Sequence, residues 1–329
     1  MIGVLAVPLV SVVTPFYNTA PYLRECIESV LGQTFGDFEY LLVDNKSTDG
    51  SRAIAEQFAA RDSRIRVIEN ETFVGQVENY NGALERIAPE CEFVKLTQAD
   101  DALLPECLRL MVENAQGDPR VGIVSSYFLK GSTPSGRGVP YGTTYVNGRA
   151  IVRGIMLGTA YPFGSPTTML YRANLVRARK PFYALGRYFE DSEAACEILL
   201  EHDLGFVHQI LSFSRTDNEG IMSAARRFNP APLDHLIVLE RYGREVLSAK
   251  EFERRKALEW RHYTGFLGAS VLQGQSEKFW QYHREGLATI GHSLGTRELL
   301  FPTLKQLARA ALDPVRAIEI ARERAQREK

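Results

Sequence analysis

The feature that most constrains this chain is a regular alternation of short apolar runs with amphipathic helical patterns through its first half. The run PLVSVVTPF precedes a segment from Pro21 to Gln33 in which Leu23, Ile27, Val30 and Leu31 share one helical face, with Asn18 or Thr19 as caps. FEYLLVDN leads into STDGSRAIAEQFAAR, where Ser47 or Asp49 can cap. IRVIEN precedes a helix from about Gln76 to Ile87, EFVKLTQ precedes one from Pro105 to about Ala115, and VGIVSSYF follows. Apolar runs joined by helices imply strands buried on both faces, so the expected fold is α/β with a mostly parallel central sheet flanked by helices. Ligands bind such sheets at the carboxyl ends of the strands. The clusters TPFYN, DNKSTDG, NETFVGQ and QADD fall at those ends.

The second half reads differently. Gly131 to Gly148 is rich in Gly, Ser, Thr and Pro and is expected to be an extended loop. YPFGSPTTMLYR resumes an ordered pattern, YFEDSEAACEILLEHD reads as helix, and LGFVHQILSFSRTDNEG as one or two strands. Beyond Pro232 the composition turns to Leu, Ala, Glu, Arg and Lys at helical spacing. The expected domains are therefore 1–228 and a helical region 229–329.

With 39 basic and 40 acidic residues the chain has a formal net charge of -1, which supplies no global attraction to nucleic acid. Cys26, Cys91, Cys107 and Cys196 form no CxxC pair and read as reduced core thiols. The apolar start lacks the basic region of a signal peptide, and no stretch reaches the roughly 18 to 20 apolar residues of a membrane span. The expected location is the cytoplasm, with peripheral contact at the inner membrane face as the alternative. In PTLKQLARAALDPVRAIEIARERAQREK, Leu304, Leu307, Ala308, Ala311 and Leu312 share a face, and basic residues outnumber acids. A solvated terminal helix and a membrane-surface helix both fit this pattern.

No GxGxxG follows the first strand, and GSTPSGRG lacks the Lys and Ser/Thr of a phosphate-binding loop. In KLTQADDALLPE, Asp100 and Asp101 are adjacent, and two such carboxylates repel unless a cation or water screens them. A turn before Pro105 would explain an arbitrary pair. At a strand end, on the same sheet edge as Asp44, hard carboxylate oxygens also suit Mg2+ or Mn2+ on a diphosphate.

VSVVTPFYNTAPYLRECIESVLGQTFGDFEYLLVDNKSTDGS resembles the N-terminal signature of family 2 glycosyltransferases, and KLTQADDALLP resembles their metal-binding DxD region. ENYNGAL, GSPTTMLYR, YFEDSEAACEILL and SFSRTDN continue the resemblance in order, from about Val10 to Ser223. It implies a GT-A fold in which Pro15, Tyr17 and Asn18 approach a nucleotide and Asp44 accepts from its base. Gly75, Asn79 and Asn81 match a Gly and Asn cluster, for which an ordinary exposed helix face is the rival reading. Gln98 replaces the first acid of the motif and would contact ribose or sugar. Asp100 and Asp101 would hold the metal, with Asp101 as direct ligand. Asp191, with Glu190 beside it, matches the catalytic base. Arg215 matches a diphosphate contact, and Asp217 a third metal ligand. Asn45 and Lys46 stand where the family often has a second acid. His202 and His208 lack ligand spacing and read as structural.

The expected function is inverting, metal-dependent transfer of a sugar from a nucleotide diphosphate donor, of UDP or dTDP type, to a hydroxyl of a glycan or lipid-linked acceptor. Cell-envelope or extracellular polysaccharide synthesis is the setting the resemblance implies. A non-catalytic sugar-nucleotide or glycan-binding protein and a nucleotidyltransferase are the rivals, and the missing Gly-rich, cationic loop after the first strand counts against the latter.

Overall fold

The computed structural model describes residues 7–186, 188–216 and 228–312. The chain divides into two compact units, one up to Asn218 and one from Glu219.

In the first unit, β1 (Val10–Phe16) and β2 (Phe38–Asp44) are buried at all seven positions each, as strands covered on both faces must be. With β3 (Ile65–Glu69) and β4 (Phe93–Leu96) they form the parallel order β3-β2-β1-β4. The helices between them are α1 (Ala20–Leu31), α2 (Ser51–Ala59) and α3 (Gln76–Leu84). Leu23, Ile27 and Val30 on α1 are buried, as their spacing requires.

Next come β5 (Ala102–Leu103), α4 (Cys107–Gly117), β6 (Val121–Lys130), β7 (Thr133–Ser135), β8 (Tyr145–Val146) and α5 (Gly148–Leu157). A 3-10 turn (Pro166–Thr168) leads into β9 (Met169–Arg172), then α6 (Ala173–Ala178), α7 (Glu190–Leu199) and β10 (Asp203–Ser214). The sheet continues β4-β9-β6-β10-β5 and is mixed rather than mostly parallel, because β9 runs antiparallel to both β4 and β6. The cause is where the chain enters. Residue 169 starts at the carboxyl edge of the parallel strands, so the strand can only run back, reaching Phe93 at Arg172. That entry sets the 3-10 turn beside the loop after β4.

The stretch expected to be loop contains β7 and β8. Within it Gly138 has φ +90, and a Cβ there would stand 2.3 Å from the Cα of Ala160, so only glycine lets these segments meet. His208 bridges β10 to this stretch, its Nε2 bonding the Thr143 carbonyl at 3.0 Å and its Nδ1 lying 3.3 Å from the Tyr127 hydroxyl. The four cysteines are buried and free.

The second unit contains α8 (Ala231–Val246), α9 (Ala249–Leu272), α10 (Glu277–Ala288) and α11 (Thr296–Leu312). Ser248 and Glu251 close a capping box at the start of α9. Leu233, Leu236, Ile237, Tyr263, Leu267, Phe279 and Leu287 form its core. His283 is fully buried there. The Phe228 carbonyl can only accept, so Nε2 of His283 donates to it at 2.8 Å, and Nδ1 accepts from the Tyr263 hydroxyl at 3.0 Å. The imidazole is thus neutral, and burial pushes its pKa down to about 4.

A histidine that titrates near 6.5 when unfolded and near 4 when folded adds stability that is complete above the first value and lost as pH falls to the second. The loss amounts to about 3 kcal/mol. Thermal melts between pH 7 and 4.5 should show His283→Leu less stable than wild type at pH 7 but with a smaller fall on acidification.

Candidate active site

The polar clusters meet at the carboxyl edge of β1, β2 and β4. Asp44, the last residue of β2, is fully buried. Its Oδ1 accepts from the Ser47 amide at 2.9 Å, whereas Oδ2 has no hydrogen-bond partner among the described residues. A buried carboxylate oxygen lacking a donor is costly, which marks Oδ2 as a place for a donor from outside the chain. Pro15 is buried within β1 opposite Val43. Asn18 takes a left-handed conformation at φ 49. Its side chain accepts from the Thr48 amide at 2.8 Å and its own amide donates to Ser47 Oγ at 3.1 Å, so it fastens the loop after β1 to the loop after β2. Tyr17 is 43% exposed, and its ring lies 4.8 Å from that of Phe73, which is 59% exposed. Phe73 was not among the expected site residues; an aromatic in the polar cluster NETFVGQ is the signal that could have found it.

Asparagines, rather than acids, organise the ground behind Asp44. Asn45 donates to the Val74 carbonyl at 2.8 Å and accepts from the Val74 amide at 3.1 Å and from Asn70 at 3.0 Å. A carboxylate at 45 would oppose the Val74 carbonyl, which accounts physically for Asn in place of a second acid. Asn79 is buried, not on an exposed face, and its carbonyl accepts from Asn70 at 2.8 Å. Asn81 grips the backbone of Tyr183 from both sides, donating to its carbonyl at 2.9 Å and accepting from its amide at 2.8 Å. Gly75 is the N-terminal cap of α3, in extended conformation. Lys46 pairs with Glu69 at 3.3 Å.

The adjacent aspartates have different surroundings. Asp101 is 4% exposed. Its Oδ2 accepts from the hydroxyls of Thr167 at 2.6 Å, Ser165 at 3.2 Å and Ser214 at 3.2 Å, while Oδ1 accepts from the Arg215 amide at 3.1 Å. One carboxylate thereby joins the loop after β4, the turn before β9 and the end of β10. Burial, and then the charge of Asp100, push its pKa up to about 7. The expectation that Asp101 is the direct metal ligand meets a side chain already held by four protein donors. Asp100 is only half-buried. Its carbonyl accepts from Arg215 Nε at 3.1 Å. The Arg215 guanidinium also bonds Glu25 at 2.7 Å and lies 4.7 Å from the Tyr22 ring centroid.

Gln98 donates through Nε2 to the Tyr80 hydroxyl at 3.0 Å, and Gln76 bonds the same oxygen. The Tyr80 phenol pKa is pushed up by burial, with the charges of Asp100 and Glu190 adding to the rise, so Tyr80 lies in the field of both acidic clusters. Helical periodicity alone would have read it as core. Glu190 and Asp191 open α7, where the amide dipoles favour carboxylates. Asp191 Oδ1 accepts from the Ser192 amide at 2.6 Å. Burial, then the charge of Asp191, push the Tyr161 phenol up to about 12. Asp217 lies outside the described residues, and among those described no group of three His, Cys, Asp or Glu side chains is placed to hold a metal.

The family model for Glycosyl transferase family 2 matches residues 11–179, just over half of the chain. Glycosyltransferase GlyG of Streptococcus pneumoniae is 32% identical over 120 residues, 36% of this chain and 39% of GlyG. The chain spans about two-fifths of the length of the first curated relatives it matches. Among solved structures, residues 1–349 of S. aureus TarS in complex with UDP-GlcNAc align with TM-score 0.62 at 21% identity, covering 96% of this chain and 89% of that one. Mannosyltransferase PcManGT from Pyrobaculum calidifontis, in complex with GDP-Man and Mn2+, aligns with TM-score 0.55 at 19% identity, covering 97% and 86%. At such identity these two show likeness of fold.

Removing the Asn81 amide leaves the buried amide and carbonyl of Tyr183 without partners. Asn81→Ala should lose about 2 to 4 kcal/mol of stability, readable by urea unfolding.

Proposed function

The chain belongs to glycosyl transferase family 2, and from that membership we propose that it transfers a sugar, with inversion, from a nucleotide diphosphate donor to a hydroxyl of a glycan or lipid-linked acceptor. Cell-envelope or extracellular polysaccharide synthesis is the setting proposed from the family resemblance. The observation that carries the reading is the buried, unpartnered Oδ2 of Asp44 at the same sheet edge as the Asp100–Asp101 pair.

A carboxylate only accepts, so Asp44 Oδ2 suits the imide N–H of uracil or thymine, and the exposed Tyr17 and Phe73 rings offer the base an aromatic face. This favours a UDP or dTDP donor. Because the Asp101 oxygens serve the protein itself, the direct-ligand role is assigned to Asp100, with Asp101 anchoring the loop. Asp100 as carboxylate ligand fits Mg2+ or Mn2+, hard ions that take oxygen ligands and can share their coordination with substrate phosphates. Such an ion, when bound, neutralises charge on the departing diphosphate. Arg215, held over Tyr22 and tied to the Asp100 carbonyl, is placed by that bond at the same loop and supplies positive charge toward the diphosphate.

Asp191 is assigned as the base. The acceptor oxygen bonds to the anomeric carbon as the carbon–oxygen bond to the diphosphate breaks on the opposite face, and the acceptor proton passes to the Asp191 carboxylate. The helix start at Glu190 places that carboxylate where the amide dipoles favour negative charge. The departures at Asn45, Gln98 and Asp217 motivate the alternative of a protein without turnover. Asn45 and Gln98 make specific bonds that hold the edge together, so neither of these two argues for it, and Asp217 lies outside the described residues.

Membrane contact is proposed separately, for α11. Leu300, Phe301, Leu304, Leu307 and Leu312 are exposed on it. From Lys305 to Lys329 the sequence has seven basic and four acidic residues. An apolar stripe in a cationic segment complements an anionic lipid surface, which would also present a lipid-linked acceptor. No helix among the described residues is long and apolar enough to cross a membrane. In co-sedimentation with phosphatidylglycerol vesicles, wild type should bind and Phe301→Ser/Leu304→Ser should bind weakly; a wild type that stays in solution removes the proposal.

The catalytic reading is tested with Asp191→Asn. Transfer should fall by about 10²- to 10⁴-fold. Stabilisation by UDP or dTDP with Mn2+, about 2.7 kcal/mol at a hundred times Kd, should persist in melting curves. Wild-type transfer by the variant overturns the base assignment, and failure of every nucleotide to stabilise wild type overturns the donor reading.

A further inference from the structure

Lys95 interrupts an otherwise apolar strand. β4 reads Phe93, Val94, Lys95, Leu96, and all four side chains are buried, Lys95 completely. An ammonium group in such a place sacrifices its hydration, and an apolar residue of similar volume would not. Its replacement for that loss is two backbone carbonyls. Nζ donates to the carbonyl oxygen of Thr167 and, at 3.3 Å, to that of Met169, with the Met111 sulfur at 3.7 Å. Burial lowers the Lys95 pKa.

Those carbonyls bracket the end of the 3-10 turn, and the turn is where the site's acids are held. The Thr167 hydroxyl donates to Asp101 Oδ2 at 2.6 Å and accepts from the Gln98 amide at 3.0 Å. The loop from Gln98 to Asp101 directly follows the strand that carries Lys95. A closed path therefore runs from Lys95 to the Thr167 backbone, from the Thr167 side chain to the loop, and along the chain back to Lys95.

We propose that Lys95 is a positioning residue for the metal and diphosphate side of the site: it fixes the Pro166–Thr168 turn, through which Thr167 sets Asp101 and thereby the neighbouring Asp100. The inference rests on the reading of that pair as the donor-side acids. No methylene chain could hold two carbonyls in this way, so the lysine is retained for the geometry it imposes and not for packing.

The test uses the full chain with Lys95→Met, which keeps the length of the side chain and removes the ammonium. Melting temperature should stay close to that of wild type, because relief from burying the amino group offsets the loss of a donor to two carbonyls. Amide hydrogen exchange should quicken in peptides covering 96–104 and 163–170 while the rest of the sheet is unchanged. The Mn2+ concentration needed for half-maximal stabilisation by UDP should rise about tenfold, as expected when a supporting residue behind a ligand is lost. Thr167→Val should produce a similar rise, and the double variant little more, since both cut one path. Unchanged local exchange with unchanged Mn2+ dependence overturns the proposal, as does a lowered melting temperature with exchange raised throughout the sheet, the signature of a residue needed only for packing. Exchange is read without ligand. If it quickens locally while wild type binds no nucleotide, the positioning role stands and the donor reading falls.

Discussion

The carboxyl edge of the sheet depends on the carboxylate of Asp101. Three stretches of chain far apart in sequence, the loop after β4, the turn before β9 and the end of β10, reach one another through its two oxygens. Burying a carboxylate is expensive, and three hydroxyls with one amide offset the cost only while all four donors stay in place. Adjacent residues leaving a strand face in different directions. With Asp101 turned inward to tie the edge together, Asp100 stands at the half-buried boundary, which resolves why two repelling acids occur side by side.

The same economy governs the asparagines. Asn45, Asn70 and Asn79 bond in series, and Asn81 holds the segment leading toward α7. Each amide both donates and accepts, so one side chain can satisfy a backbone amide and carbonyl together, which an acid cannot. The site's acids are thus few, and each has a distinct environment: Asp44 with one bonded oxygen, Asp101 saturated, Asp191 at a helix start. Neutral amides carry the architecture between them.

Much of this was legible in the sequence because it is local. Continuous apolar runs marked β1 and β2 as buried on both faces, and polar clusters at the strand ends located Asp44 and Asp100. The antiparallel course of β9 was not legible, since four residues, MLYR, carry no directional signal and direction follows from where the chain re-enters the sheet. Nor were the partners of the acids. Asp101 meets Thr167 across 66 residues and Arg215 across 114, and no periodicity reports such pairings. Tyr80 was hidden for the opposite reason, being a well-behaved residue of a helical pattern whose hydroxyl bonds Gln76 and Gln98. That Asp101 is the acid held by Thr167, Ser165, Ser214 and Arg215 could be read only from the folded chain.

The knot also sets folding against function. A carboxyl group whose folded pKa is raised to about 7, against about 4 when unfolded, is more stably buried with its proton than without it. Its contribution to stability therefore falls as pH rises through that window, when Asp101 ionises beside Asp100. A protein selected for stability alone would place Asn at one of the two positions. Keeping both acids leaves two like charges adjacent at the edge once Asp101 is ionised. The repulsion between the two acids lies in the loop between β4 and β5, while the side chains of Asn45, Asn70 and Asn79 behind Asp44 are neutral. The edge consequently has one part organised by neutral amides around Asp44 and another in which two adjacent acids meet.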